Sequence, residues 1–211
     1  MNVVVFGASG GIGRLVVDQL LTRGIEVTAV VRREGGITRQ DNLRIVAVTD
    51  LLRSNELVPH LRGADSVIST IGPRSLRDSG IAAPITASIT AAMHEAGVGR
   101  IVVVSAAPIG PVPPGETALL RFLLRPLIWS ILGRHYRDLT AMEAALALSG
   151  LIWTAVRPPR LTDGPRTDRY RLRLGGSVPG GFSVSRDDVA AAICAAACDL
   201  QMPSGPLGIA D

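Results

Sequence analysis

The chain has 211 residues, with 22 basic and 18 acidic side chains and a formal net charge of +4. This length allows one well-buried core, and we expect a single domain spanning residues 1–211. Although 47% of the residues are hydrophobic, no apolar run reaches the roughly 20 residues that a membrane span needs, and the first segment lacks the basic start of an export signal. The composition therefore predicts a cytoplasmic protein with no membrane partner.

All 22 basic residues are arginine, so the chain contains no lysine. The arginines are scattered along the sequence without a helix-turn-helix pattern or an aromatic platform, which argues against nucleic acid as a partner. We expect a small, possibly anionic ligand instead. Cys194 and Cys198 lie in an alanine-rich stretch without a neighbouring histidine, so we expect them to pack in the core and predict no metal site.

Strands and helices alternate in the first half of the chain. Several of the apolar runs are hydrophobic on both faces, which is typical of a parallel sheet covered by helices on each side. The pattern predicts an α/β fold with a doubly wound parallel sheet in three α/β/α layers. The predicted elements are strands at Val3–Phe6, Glu26–Val31, Arg44–Val48, Ser66–Ile71 and Ile101–Val104, and helices near 11–23, Ser54–Leu61 and Ala82–Ala96.

The second half of the chain is less regular. Insertions beyond the carboxyl edge of such a sheet usually shape the ligand site, so we expect residues 107–135 and 157–183 to form the substrate walls. The predicted elements are a proline-rich loop at 108–114, an apolar helix containing Pro126, a separate helix over Tyr136–Ser149, a strand at Ile152–Val156, short strands and loop over 160–183, a helix from Arg186 to Asp199 capped by Ser185, and a last short strand at Leu207–Ile209.

The first strand turns abruptly into a glycine-rich loop that opens a helix, in the sequence V-V-V-F-G-A-S-G-G-I-G. Gly7 permits the tight exit from the strand, Gly10 leaves room for a phosphate, and Gly13 lets helix and strand pack closely. The free N–H groups at the helix start can bind an anion. Although the glycine spacing differs from the usual Gly-x-Gly-x-x-Gly, a second strand follows at βαβ distance, so the loop predicts a dinucleotide pyrophosphate site. Its predicted ligand-binding residues are Gly7, Ser9, Gly10, Gly11, Ile12 and Gly13.

Two arginines at the end of the second strand bear on the choice of dinucleotide. An NAD-selective site usually has an acidic residue at this point, whereas a 2′-phosphate calls for a guanidinium group. Arg32 and Arg33 occupy the position, and the planar fork of arginine matches phosphate oxygens. We therefore predict NADPH as the preferred cofactor and Arg32 as the closer of the two residues. The alternative is that both arginines are solvated on an exposed turn.

Several motifs along the chain together resemble one known family. They are G-A-S-G-G-I-G at 7–13, V-R-R at 31–33, V-T-D-L-L at 48–52, G-A-D-S-V-I-S-T-I-G at 63–72, V-V-V-S-A-A at 102–107, R-P-P-R-L-T-D-G-P at 157–165 and S-R-D-D-V-A at 185–190. The chain resembles an atypical short-chain dehydrogenase/reductase of the NAD(P)H-binding group that includes NmrA-like proteins and biliverdin-IXβ and flavin reductases. This resemblance implies a Rossmann-like fold. It also implies that Asp50 and Leu51 flank the adenine, that Ile71 and Gly72 lie along the cofactor, and that Ser105 and Pro158 lie near the nicotinamide.

The chain lacks the residue pair that typical short-chain dehydrogenases use to protonate a carbonyl oxygen, a tyrosine with a lysine four residues later. Tyr136 is followed at that spacing by Thr140, and arginine cannot relay a proton. A hydride acceptor with its own electron sink places less demand on the protein. We name Ser105, Tyr136 and His135 as candidate catalytic residues, each with a purely structural role as the alternative.

Other charged groups have less specific roles. We expect Asp138 to favour the dipole at the start of its own helix and Glu143 to be a solvated or structural carboxylate, with no acid pair between them. The alternation around Tyr170 predicts a half-exposed strand whose arginines are solvated or grip an anionic substrate. These arginines are Arg166, Arg169, Arg171 and Arg173. We expect the apolar segment 119–132 to form a lid or a dimer contact.

These features together predict an NADPH-dependent oxidoreductase that passes hydride directly to a small, planar, conjugated acceptor such as a flavin, a quinone or a similar carbonyl compound. The absence of the tyrosine and lysine pair leaves open a second class, an NmrA-like regulator that senses NAD(P) without turnover and signals through a protein partner. An epimerase that uses the nicotinamide transiently is disfavoured by the same absence. The sequence allows a monomer or a homodimer.

Overall fold

The structure is a computed structural model. It describes residues 1–33, 37–38, 40–72, 80–111, 125–199 and 201–211, and at 125–128 and 131 it describes the backbone alone. Within these ranges, no helix is long and apolar enough to cross a membrane.

Among the described residues, eight strands form one central sheet. They are β1 (Asn2–Phe6), β2 (Glu26–Val31), β3 (Leu43–Ala47), β4 (Ser66–Ser69), β5 (Arg100–Val104), β6 (Ile152–Arg157), β8 (Arg171–Leu174) and β10 (Gly205–Ala210). Their order across the sheet is β3-β2-β1-β4-β5-β6-β10-β8. All neighbouring pairs are parallel except β10 and β8, which are antiparallel. Two short strands, β7 (Arg160–Thr162) and β9 (Ser183–Ser185), pair with each other outside this sheet.

Helices cover both faces of the sheet. They are α1 (Gly11–Thr22), α2 (Ser54–Leu61), α3 (Ala82–Ala96), α4 (Arg125–Leu148) and α5 (Arg186–Cys198). Because side chains alternate along a strand, Val3 and Val5 of β1 join the core beneath α1 and α5, whereas Val4 and Phe6 join the core beneath α2, α3 and α4. The predicted three-layer α/β/α arrangement with a doubly wound parallel sheet is confirmed.

The sheet reverses its direction of winding between β1 and β4. The chain runs outward from β1 through β2 to β3, then crosses back so that β4 lies on the other side of β1, followed by β5 and β6. At such a switch point the loops after neighbouring strands diverge, and a crevice opens at the carboxyl edge of the sheet. This topology places the ends of β2, β1, β4 and β5 side by side in that order.

The predicted break between two helices before Tyr136 is wrong. One helix, α4, runs without interruption from Arg125 to Leu148. The described part of this helix contains Pro126 and continues without a break through Gly133 and His135. His135 therefore lies in the middle of a helix, not at a helix start. Residues 119–124 of the predicted lid segment 119–132 lie outside the described residues.

The predicted cap of the last helix is confirmed. The Ser185 hydroxyl accepts a hydrogen bond from the N–H of Asp188 at 2.9 Å. The Asp188 carboxylate, fully buried, accepts in turn from the N–H and hydroxyl of Thr167 and from the N–H of Asp168. Burial by itself raises the pKa of Asp188, but these hydrogen bonds outweigh it and hold the pKa below its usual value. The carboxylate thereby ties the loop between β7 and β8 to the start of α5.

The end of the chain contributes more to the sheet than predicted. The last strand has six residues, Gly205–Ala210, where we expected three, and it pairs with β6 on one side and β8 on the other.

Nearby in α5, Cys194 lies fully buried in the core beneath α1, and this burial raises the pKa of its thiol to about 12. Cys194 therefore packs as a small apolar side chain, as predicted.

Candidate functional site

A cleft of about 840 Å³ opens at the carboxyl edge of the sheet, above the switch point between β1 and β4. Residues that sequence reasoning assigned to separate motifs meet in it. The predicted site residues that line the cleft are Gly7, Ser9, Gly10, Gly11, Ile12, Arg32, Leu51, Ile71, Gly72, Ser105, His135, Tyr136 and Pro158. Among the predicted residues, Gly13, Arg33 and Asp50 lie outside the cleft lining.

The glycine loop, residues 7–13, forms the floor of this cleft. Gly7 has a φ of +75°, which side chains disfavour, and an added Cβ would lie 2.8 Å from the Thr70 hydroxyl oxygen. At Gly13 an added Cβ would lie 2.2 Å from the Gly7 carbonyl oxygen, well inside contact distance. The loop therefore packs against the start of α1 only because these positions lack side chains. Gly13 acts beneath the loop, which explains why it does not line the cleft.

The first turn of α1 is open toward the cleft. Its N-cap residue, Gly10, has no side chain to accept hydrogen bonds from the helix N–H groups. Such uncapped N–H groups, at the positive end of the helix dipole, suit a phosphate. The loop geometry thus fits the diphosphate of a dinucleotide, with room for the ligand made by glycine alone.

Thr70, directly after β4, contacts the glycine loop, and sequence reasoning missed it. Its hydroxyl lies 3.1 Å from the Phe6 carbonyl oxygen and 3.2 Å from the Gly7 carbonyl oxygen, to which it donates. These bonds join the end of β4 to the tight turn after β1. Thr70 directly follows β4, and β4 lies next to β1. Only the strand order shows that these two strands are neighbours, so the sequence alone could not assign this role to Thr70.

The residues proposed to contact the adenosine half differ in position. Arg32 is exposed and lines the cleft, whereas Arg33 is exposed outside it. Leu51 also lines the cleft. Asp50 faces away from the cleft lining, since its carboxylate accepts from the N–H of Leu52 at 3.0 Å and pairs with Arg53 at 3.2 Å. That exposed ion pair gives Asp50 a local role in the turn before α2.

Arg186 is a second residue that sequence reasoning missed. We assigned it only to the start of α5, yet its side chain lines the cleft beside the glycine loop. Its Cδ lies 3.6 Å from the position that a Cβ on Gly11 would occupy, and its guanidinium group pairs with the exposed carboxylate of Asp163. The starts of α1 and α5 are therefore neighbours, which places the positive charge of Arg186 next to the open turn of α1.

Ser105, Glu143 and Arg157 form a buried network at the other end of the cleft. The Ser105 hydroxyl donates to Glu143 Oε1 at 2.6 Å, and Arg157 Nε donates to the same oxygen at 3.0 Å. Arg157 Nη2 also donates to Glu143 Oε2, so the pair is bidentate. The three residues are between 6% and 8% exposed. We call this set the Ser105 network.

The two carboxylates of α4 have different outcomes. Glu143 is the structural carboxylate of the two alternatives we named, because it lies in the buried Ser105 network. Asp138 does not act on its own helix, because it lies in the middle of α4, and its carboxylate accepts from the N–H groups of Ala82 and Ala83 at 2.9 Å. It therefore caps the start of α3. The prediction failed because the helix boundary was misplaced and because both partners are remote in sequence.

Tyr136 and His135 both line the cleft near Ser105. The Tyr136 ring is 5% exposed and packs against Trp129 with ring centroids 5.2 Å apart. Burial lowers the pKa of His135, and its buried Nδ1 has no hydrogen-bond partner among the described residues. His135 therefore carries a buried ring nitrogen that no described residue satisfies, while the residue itself lines the cleft. The residue four places after Tyr136, Thr140, only donates to the Tyr136 carbonyl oxygen at 2.8 Å.

The arginines around Tyr170 lie away from the cleft. Strand β8 is exposed along its whole length, more than the half-exposed strand we expected. Arg171 donates to the carbonyl oxygens of Pro179 and Asp211, and Arg166 pairs with Asp168. Among the described residues that line the cleft, none belongs to this group of arginines.

The chain belongs to the NAD(P)H-binding family, whose sequence profile matches residues 7–199. This confirms the resemblance drawn from the motifs, and the cofactor class of the family is a nicotinamide dinucleotide. The chain is also 28% identical, over 218 aligned residues, to an uncharacterised protein of Mycobacterium tuberculosis. The alignment includes the whole of this chain but only 22% of the length of the relative.

Solved structures support the same fold. A putative NADH-flavin reductase from Streptococcus pneumoniae superposes with a TM-score of 0.81 at 21% identity, covering 100% of this chain and 99% of that one. The anaerobilin reductase ChuY from Escherichia coli O157:H7 superposes with a TM-score of 0.80 at 23% identity, covering 100% and 97% of the two chains. At these identities the likeness shows a shared Rossmann-like fold.

Proposed function

We propose that this protein is an NADPH-dependent oxidoreductase that transfers hydride directly to a small, planar, conjugated acceptor. The observation that carries the proposal is the continuity of the cleft, which joins the glycine loop at the end of β1 to Ser105 at the end of β5. A site for a diphosphate and a site for a reacting ring are thereby held on one rigid sheet edge. The names of the two structurally similar reductases agree with this activity.

The cofactor would lie across the switch point. The N–H groups at the start of α1 would bind the diphosphate, and Arg186 would add a guanidinium group from the start of α5. Leu51 would contact the adenine, and Ile71 and Gly72, after β4, would lie along the middle of the cofactor. Ser105 and Pro158 would border the nicotinamide, since they follow the strands farthest from Arg32.

Arg32 supports the preference for NADPH. It is exposed and lines the cleft at the end of β2, and no carboxylate lines this part of the cleft among the described residues, which exclude Glu34. A guanidinium group can bind a 2′-phosphate with two parallel hydrogen bonds. Arg33 lies farther from the cleft and would contribute through its charge alone.

The walls near Ser105 suit an acceptor that needs little help from the protein. Bound NADPH supplies the hydride. The chain's own contribution is to orient the acceptor and exclude water, because the residues around the reacting end are largely apolar and close-packed. These apolar residues are Ile81, Ile85, Leu132, Leu139 and Leu161. No lysine is available to lower the pKa of Tyr136, so an acceptor that stabilises added electrons by conjugation is favoured over a simple ketone.

His135 and Tyr136 would contact the acceptor. The imidazole of His135, which lines the cleft, would position a polar edge of the acceptor against an otherwise apolar wall. The proton that accompanies the hydride would then come from solvent after reduction.

The proposal is tested by following the absorbance of NADPH during incubation with FMN, a quinone and biliverdin, alongside calorimetry with NADPH and NADH. Oxidation of NADPH above the rate without protein supports the reductase function. Binding without oxidation of cofactor by any acceptor would instead support the NAD(P)-sensing regulator. Absence of binding to both dinucleotides would contradict the whole proposal.

A further inference from the structure

Among the residues that the structure describes, the Ser105 hydroxyl gives its hydrogen to one group, the Glu143 carboxylate. Glu143 is paired through both carboxylate oxygens with Arg157, a permanently charged group, so Glu143 is ionised and can only accept. The Ser105 oxygen lies 2.6 Å from Glu143 Oε1, and the bond between them must therefore run from the hydroxyl to the carboxylate. A charge-assisted bond of this kind, in a buried site, is strong and directional.

The side of Ser105 that faces the cleft is consequently an acceptor. Ser105 lines the cleft and is 6% exposed, and because its hydrogen is given to Glu143, its oxygen can only accept from a ligand group that reaches it. Arg157, on β6, and Glu143, on α4, hold this orientation from two different elements. The arrangement is unlike that of a serine poised to give a hydrogen bond to a carbonyl oxygen.

We propose that Glu143 and Arg157 act as positioning residues that make Ser105 an obligate hydrogen-bond acceptor, so that this point of the cleft recognises an N–H donor on a planar ring ligand. The inference rests on the proposed function, and it assigns Ser105 to ligand recognition, not to proton delivery. The order of strand ends explains which ligand group is concerned. Arg32, the glycine loop, Ile71 and Ser105 follow four adjacent strands, so a dinucleotide bound at the glycine loop with its 2′-phosphate toward Arg32 brings its other ring toward Ser105.

Two ligands could present the N–H donor, the carboxamide of the nicotinamide ring or a ring N–H of the acceptor. Two pairs of probes separate them by calorimetry. The first pair is NADP⁺ and its 3-acetylpyridine analogue, in which a methyl group replaces the amide nitrogen. The second pair is lumiflavin and 3-methyllumiflavin, titrated into protein saturated with NADP⁺. In each pair the second probe keeps the ring but loses the donor.

The change to test first is Ser105→Ala. In the wild-type protein we expect the donor-bearing probe of one pair to bind more tightly, and we expect Ser105→Ala to lower that preference about fivefold, the effect of one hydrogen bond. The pair that responds identifies the ligand. If Ser105→Ala leaves the preference within both pairs unchanged, the acceptor role of Ser105 is wrong.

Glu143→Gln tests the positioning role. The neutral amide is no longer a charge-assisted acceptor, and its NH₂ group can donate to the Ser105 oxygen. The Ser105 hydroxyl can then turn its hydrogen toward the cleft, so we expect the preference to fall. The matched control is Arg100→Gln, because Arg100 is a buried charge at the opposite end of β5 that donates to the Ala196 carbonyl oxygen and lies outside the cleft. Both variants lose a buried charge, but only Glu143→Gln should change the preference. Full preference in Glu143→Gln would overturn the positioning role.

If Glu143→Gln does not fold, the double variant Glu143→Leu with Arg157→Met removes the pair together and gives the same comparison. These outcomes are distinct from failure of the proposed function. Calorimetry requires no turnover. If the protein binds NADP⁺ but does not oxidise NADPH, the proposed reductase function is wrong, while the inference about Ser105 can still be tested. A protein that binds neither nicotinamide dinucleotide loses both.

Discussion

The two ends of the cleft are built in different ways. At the glycine loop the ligand site consists of main-chain groups from one continuous stretch, and the critical feature is the absence of side chains at Gly7 and Gly13. At the Ser105 network the site consists of side chains from three elements, and Ser105 and Glu143 are 38 residues apart. A site made of backbone within one segment is legible as a motif, whereas a site made of remote side chains is visible only once the elements are packed.

The comparison predicts that damage to the network will cost more stability than damage to the loop. Arg157→Met would leave the Glu143 carboxylate buried and unpaired, and we expect a loss of about 3–5 kcal/mol in the free energy of unfolding. The double variant Arg157→Met with Glu143→Leu should recover most of this loss, since no charge then remains buried. Denaturant unfolding measures both, and a double variant as unstable as the single one would contradict the ion-pair explanation.

At the glycine loop the largest effect should come from Gly13→Ala. The added Cβ meets the Gly7 carbonyl oxygen at 2.2 Å, and because the neighbour is backbone, the loop itself must shift. We expect destabilisation of about 1–3 kcal/mol and loss of detectable NADPH binding by calorimetry. Gly99→Ala is the control, since an added Cβ there meets nothing within 4 Å. Unchanged NADPH affinity in Gly13→Ala would contradict the diphosphate site.

Substitutions of the arginines around the glycine loop should distinguish residues that strengthen binding of both dinucleotides from residues that favour NADPH over NADH. Arg32→Ala should weaken NADPH binding about tenfold or more, the effect of a charge-assisted contact, while leaving NADH binding nearly unchanged. Arg33→Ala should have a smaller effect of the same kind. Arg186→Met should weaken both dinucleotides equally, because the diphosphate is common to them. Calorimetric titration of each variant with NADPH and NADH tests this, and equal losses for both dinucleotides in Arg32→Ala would remove its 2′-phosphate role.

The smallest expected effect concerns the loop that Asp188 ties to α5. The pKa of Asp188 is held below its usual value of 3.8, so its stabilising contribution is fully present above about pH 4 and is lost as the pH falls through the folded-state pKa. Asp188→Asn should therefore reduce the difference in stability between pH 6 and pH 3. Thermal unfolding at pH 6 and pH 3 measures this difference in stability for the wild-type protein and the variant. An equal difference in both proteins would show that other carboxylates dominate the pH dependence of stability.

The same contrast explains how far the sequence could be interpreted. Strand periodicity, apolar runs and the glycine motif located all five strands of the first half to within two residues, because these signals depend on neighbours along the chain. The helix break before Tyr136 was wrong because a helix can continue through a residue of low helix propensity, such as Gly133, when tertiary packing supports it. Glu143, Thr70 and Arg186 carried no local signal, since each acts on a partner in another element.

The sequence by itself determined the layered α/β fold, the glycine loop, the family and the lack of a tyrosine and lysine pair, since each is a property of composition or of short segments. Only the tertiary structure decided that Glu143 binds both Ser105 and Arg157, that Asp138 caps α3, and that Arg186 lies beside the glycine loop. The physical reason is that a buried charge must find its partner wherever packing places one. The spacing of residues along the chain does not indicate which partner that is.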